Sequence, residues 1–210
     1  MVGIAELWHS HEQVLWDEAL ERYWGLIRPE NLEIERELEH LDSERIRALD
    51  QEGWYTFLRD EYYRWKYTAP NRYATTTQKL RQYIEQNRLD ELHRLKERLL
   101  DFDQQNIALG LRIASEIQGL GTAGASGLLA LLYPKTFATV DQFVVKALRD
   151  VGDLLEALVL NRMNHANLTI KDAVVLIGIM RSKADENNQI YQTDIWTARR
   201  VDKVLWTYGR

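Results

Sequence analysis

Asp141 stands twenty residues beyond Gly121, at the end of a stretch that reads GLGTAGASGLLALLYPKTFATVD over residues 119–141. A carboxylate behind a glycine-rich turn suits two kinds of chemistry. Gly119-Leu120-Gly121-Thr122-Ala123-Gly124 has the G-x-G-x-x-G spacing of a dinucleotide fingerprint, where backbone N–H groups hold a pyrophosphate and a later acid holds a ribose hydroxyl. The same turn could instead cradle the phosphate of another ligand, on amides that open the following helix. A plainer role competes with both, because Asp is a preferred helix N-cap and "TVDQF" is an ordinary place for one.

The lead-in to the turn decides between the two ligands. A dinucleotide site needs an apolar strand running into its first glycine, within repeated strand–helix–strand units. Here "LRIASEIQ" (111–118) precedes the turn, with Glu116 and Gln118 beside it and apolar residues at helical spacing. No dinucleotide cofactor is expected.

A second cluster lies in "RDEYYRWKYTAPNRYATTTQKLRQY" (59–83). Tyr63, Trp65 and Tyr67 alternate with Arg64 and Lys66, and Arg72 follows the Pro70-Asn71 break. Aromatic faces between cations suit base stacking combined with phosphate contact, and Thr75, Thr76 and Thr77 would offer loop hydroxyls to a backbone. The competing reading has the rings filling the core while their charged neighbours face water. The five histidines show no metal-ligand spacing, and the absence of Cys removes thiolate chemistry, disulfides and iron–sulfur clusters.

The elements that must carry these residues read as helices. Trp16, Leu20, Tyr23, Trp24 and Ile27 share one helical face, and Leu89, Leu92, Leu95 and Leu99 form an amphipathic stripe. In "NQIYQTDIWTARRVDKVLWTYG", Ile195, Ala198, Val201, Leu205 and Tyr208 share a side, with Arg199, Arg200 and Lys203 off it. "TFATV" and "DAVVLIGIM" are the few strand-like runs, and three prolines interrupt little. The fold class is therefore all-α. A net charge of −5 hides a gradient: residues 1–53 carry 5 Lys/Arg against 14 Asp/Glu, whereas residues 54–98 carry 10 against 6. A local basic surface is thus available to an anion within an acidic whole. Neither a signal peptide nor a membrane-spanning run is apparent, so a cytoplasmic protein is expected.

With a helix in place of the strand, Ile117-Gln118-Gly119-Leu120-Gly121 becomes a tight turn and a second helix starts at Thr122. This resembles the helix-hairpin-helix element. The following Pro134 loop, Asp141 and "QFVVKALRDV" make residues 105–150 similar to the helix-hairpin-helix superfamily of base-excision DNA glycosylases. The closing "TARRVDKVLWTYGR" also looks like the tail of bacterial proteins with an 8-oxoguanine-glycosylase-like fold.

The resemblance implies a bundle of two helical lobes with a cleft between them. Residues 1–104 would contribute to one lobe, 105–150 would carry the hairpin and the Asp loop, and 151–210 would complete the fold. It further implies double-stranded DNA as partner, with Gly119, Gly121, Thr122 and Ala123 on a backbone phosphate and Asp141 acting on a flipped-out nucleotide. Tyr63, Arg64, Trp65, Lys66, Tyr67 and Arg72 would contact the base or the backbone. No metal or organic cofactor is implied beyond a monovalent cation on the hairpin carbonyls, as in relatives. The sequence departs from the pattern at Ala123, where bifunctional members carry a Schiff-base lysine, at Gln118 in place of proline, and in the glycine-free loop before Asp141. The implied activity is monofunctional hydrolysis of an N-glycosidic bond. The alternative is a non-catalytic module binding nucleic acid or protein through the 59–83 surface.

Overall fold

In the computed structural model, which describes residues 2–210, the chain folds into helices with no strand among the described residues. The first third comprises α1 (Ile4–His9), α2 (Gln13–Leu26), α3 (Pro29–Glu39), α4 (Ser43–Arg47), α5 (Gln51–Thr56) and α6 (Tyr63–Lys66), the last two joined without a break by a π-helical segment, Phe57–Tyr62. Then come α7 (Pro70–Glu85), α8 (Leu89–Asp101), α9 (Ile107–Ser115) and α10 (Thr122–Leu132). α11 (Gln142–Val151), α12 (Ala157–Arg162), α13 (Ile170–Tyr191) and α14 (Ala198–Gly209) complete the chain.

Local chemistry sets many of these boundaries. Pro29 and Pro70 open α3 and α7, where a missing N–H costs nothing. Asp42 caps α4, Asp50 caps α5 and Thr169 forms a capping box with Asp172 on α13. The sequence "DAVVLIGIM" lies inside α13, and "TFATV" is an irregular segment leading to Asp141.

One hydrophobic cluster runs from Ile4 to Leu205 and draws on all three stretches distinguished in the sequence. Trp16, Tyr23, Leu92, Leu95 and Leu99 lie buried, as their periodicity predicts. α14 is the central element, packing on α2, α11 and α13. Its crossing with α11 is tight: a Cβ at Gly209 would sit 2.0 Å from the Phe143 carbonyl oxygen. Arg199 and Lys203 correct the expected outward face of α14, since both are buried. Their charges are met from α3, Arg199 by Glu35 at 3.1 Å and Lys203 by Glu39.

Candidate functional site

The turn between α9 and α10 has the conformation its glycines allow. Gly119 adopts φ +96°, a region disfavoured for residues with a Cβ. A Cβ there would also sit 2.9 Å from the Thr76 carbonyl oxygen. Gly121 differs: it holds an ordinary extended conformation (φ −87°, ψ −174°), and nothing lies within 4 Å of where its Cβ would be. No side chain caps α10, so the amides of its first turn point outward without a protein acceptor. Six other helices of the chain have a side-chain cap.

The aromatic residues of 59–83 support this turn from behind. Tyr63 is 0% exposed, and its hydroxyl donates to Gln118 O at 2.7 Å. The Tyr67 hydroxyl donates to Gly119 O at 3.1 Å, that of Tyr62 to Gly124 O, and the Tyr83 hydroxyl accepts from Gln118 N at 3.3 Å. Burial pushes the Tyr62 and Tyr63 phenols well up and Tyr67 to about 12, so all three remain donors at neutral pH. Tyr63 is therefore not a free stacking face for a base, and any cation on the turn carbonyls would compete with these hydroxyls. Thr75 and Thr76 also depart from expectation. They lie within α7, their hydroxyls donating to Asn71 O and Arg72 O at 2.8 Å instead of to an outside partner. Arg64, Arg72, Lys79 and Arg81 are exposed. Among the described residues, none of these four cations has a carboxylate within ion-pair distance, whereas Arg59, Arg88, Arg94, Lys96 and Arg98 of the same segment are paired.

Beyond the hairpin a cleft of about 420 Å³ opens between α2, α3 and α6 on one side and α11 and α14 on the other. Trp65, Lys66, Asp141, Phe143 and Trp206 line its walls, with Glu35, Arg199 and Asp202 on its floor. The floor is a polar network in which, among the described residues, only Arg199 Nε is buried without a partner. Glu35 accepts from Tyr23 Oη at 2.6 Å, Trp65 Nε1 at 2.5 Å and Arg199 Nη2 at 3.1 Å. Arg199 Nη1 donates to Asp202 Oδ1 at 2.6 Å, while Asp202 Oδ2 accepts from Thr139 N at 2.6 Å. Burial lifts the Asp202 carboxyl to about 6 against the opposing pull of Arg199. This network fixes the segment before Asp141 from below, and Ser126 fixes it from the side. The Ser126 hydroxyl accepts from Val140 N at 3.0 Å and donates to Ala123 O at 3.0 Å, joining the Asp loop to the first turn of α10.

Asp141 both caps α11 and lines the cleft. Its Oδ1 accepts from Phe143 N at 2.9 Å and Val144 N at 3.0 Å. Its Oδ2 has no hydrogen-bond partner and is not sealed in the interior. A carboxylate held by one oxygen and open at the other can stabilise a cation or orient a water. Lys146 lies elsewhere, in a separate groove with Arg149, His165 and Arg210. Among the described residues, no group of three or more His, Asp or Glu side chains is placed to hold a metal ion.

No protein-family model, curated protein or solved structure matches this chain. The site must speak through its own chemistry.

The structure thus brings together Gly119, Gly121, Thr122 and Ala123 at one turn, and Trp65, Lys66 and Asp141 in one cleft. Arg64 and Arg72 are placed outside, and Tyr63 behind. The floor is not legible in the sequence, because Glu35 lies 164 residues from Arg199, the cation it meets. The only trace was polar residues at buried helical positions of α14. No helix among the described residues is long and apolar enough to cross a membrane.

Proposed function

We propose that the chain binds duplex DNA through the α9–α10 turn and hydrolyses the N-glycosidic bond of an extruded nucleotide at Asp141. The observation that carries this reading is the free Oδ2 of Asp141 on a cleft next to an uncapped hairpin helix. A backbone phosphate would sit on the amides of Thr122 and Ala123, aided by the helix dipole, with Gly121 allowing close approach. The bare space at Gly121 supports this, since nothing in the protein itself requires a glycine there. Arg64, Arg72, Lys79 and Arg81 add long-range attraction and make binding salt-dependent.

A base reached only by extrusion from the stack needs a pocket, and 420 Å³ lies within the range of about 300–1,000 Å³ usual for small-molecule sites. As the base departs, positive charge develops on the sugar. The Asp141 carboxylate stabilises it, and water attacks the anomeric carbon from the open side. The alternative of a binding module working through 59–83 has less support, because Tyr62, Tyr63 and Tyr83 face inward.

Asp141→Asn tests the mechanism. Asparagine still caps α11, so folding stability should stay within about 0.5 kcal/mol of the parent. Base release from duplexes carrying 8-oxoguanine, uracil or alkylated bases, read after alkaline cleavage, should disappear. Release that persists in this variant refutes the role of Asp141.

A further inference from the structure

Four lysines have side chains drawn into the fold, and three of them are neutralised there. Lys96 donates to Arg47 O and Leu49 O and pairs with Glu97 at 3.3 Å. Lys183 donates to Trp8 O and pairs with Glu186 at 2.7 Å, and Lys203 pairs with Glu39. Lys66 is the exception. Among the described residues it has no carboxylate within ion-pair distance and no hydrogen-bond acceptor, and its amine opens on the cleft that Asp141 lines. The side chain is nevertheless held in place. Its stem packs on α10, where a Cβ at Gly127 would meet both Cδ and Nζ at 3.2 Å, and Nζ lies 5.8 Å from the Trp65 ring centroid.

An aimed amine without a counter-ion is poorly explained as a structural cation, but it suits a nucleophile toward a carbonyl carbon. Resting on the DNA reading above, we propose that Lys66 condenses with the aldehyde of an abasic deoxyribose and cleaves the strand by β-elimination. The free amine adds to C1′ of the ring-opened sugar, and the carbinolamine loses water to give a protonated imine. A base removes a C2′ proton; the free Asp141 Oδ2 and water are the acceptors on hand. The electron pair moves toward the imine, the C3′–O bond breaks and the 3′ phosphate leaves. Water then hydrolyses the unsaturated imine and restores the amine. Electrons and atoms balance with no outside oxidant or reductant.

Burial lowers the Lys66 ammonium to about 8, with Asp141 the strongest of the opposing influences. At neutral pH the uncharged fraction is then roughly three-hundredfold above that of a lysine at its ordinary value. Gly127 is part of this arrangement, since any side chain there would displace the amine.

The test uses the full chain and a duplex carrying a preformed abasic site, so that it does not depend on base removal. Incubation with sodium borohydride should reduce the imine to a stable protein–DNA adduct. Peptide mass spectrometry should place the adduct on Lys66, and its yield should rise with pH through about 8. Lys66→Gln, and Lys66→Met with its longer apolar stem, should both lose the adduct and the alkali-independent strand scission while keeping the parent circular dichroism spectrum. No adduct, or an adduct on another amine, overturns the proposal even if base release is found. An adduct on Lys66 without base release from any damaged duplex sustains it and leaves the glycosylase reading to fail alone.

Discussion

Gly119 and Gly121 sit two residues apart in one turn, yet they should respond oppositely to a single methyl group. At Gly119 the backbone is at φ +96°, which costs a residue with a Cβ about 1–2 kcal/mol. The added Cβ would also lie 2.9 Å from the Thr76 carbonyl oxygen and 3.1 Å from Tyr63 Oη, so something has to shift. The hydroxyl there donates to Gln118 O, a hydrogen bond whose loss adds about 1 kcal/mol. Gly119→Ala should therefore destabilise the fold by about 2–4 kcal/mol, which for a chain of this size lowers Tm by roughly 5–15 °C. At Gly121 the conformation suits alanine and no atom is near. The entropy gained by stiffening the unfolded chain, about 0.4–1 kcal/mol, offsets the poorer N-cap. Gly121→Ala should stay within about 0.5 kcal/mol of the parent but bind duplex DNA more weakly, because the methyl lies where a phosphate would approach. Urea unfolding followed by circular dichroism, with fluorescence anisotropy for binding, separates the two effects. Equal destabilisation by both variants would refute the reasoning about the turn. Undiminished binding by Gly121→Ala would remove the phosphate from it.

Two further outcomes follow from the cleft floor. Arg199→Met leaves Glu35 and Asp202 buried without their cation, and calorimetry should show a loss of about 3–5 kcal/mol. Asp202 carries a pH signature. Its carboxyl titrates near 6 in the folded chain against 3.8 in a free side chain, so the folded state binds the proton more tightly. Its contribution to stability is fully present below about 4 and is lost as pH rises through about 6. Between pH 4 and 6.5 the parent should lose more stability than Asp202→Asn; parallel pH profiles from urea titrations would exclude that carboxyl as the source.

What the sequence disclosed depended on how local each cause was. Helices such as α2 and α8 were legible because their apolar residues recur on one face, and the ends of α9 and α10 were legible because glycines mark the turn between them. The inward direction of Tyr62 and Tyr63 was not, because Tyr62 closes the π-helical segment Phe57–Tyr62 and Tyr63 follows it, out of step with the α-helical count. Arg199 and Lys203 looked like solvent-facing charges because periodicity has no knowledge of α3, whose Glu35 and Glu39 receive them. Asp141 showed how two readings can coexist, since a carboxylate has two oxygens and capping uses only one.

The π-helical segment also has an evolutionary consequence. An α-helix advances by about 100° per residue, and a π-helical stretch carries more residues per turn than the α-helix that would replace it. Six π-helical residues therefore sweep about the same angle as five α-helical ones, and deleting one residue from 57–62 would let the stretch relax to α-helix with the residues after it on nearly their present faces. Relaxation with all six residues retained would instead rotate α6 by about 100°, taking the tyrosine hydroxyls off the hairpin and the Lys66 amine off Gly127. The cleft thus survives the loss of one codon here, but not a return to α-helix at the present length.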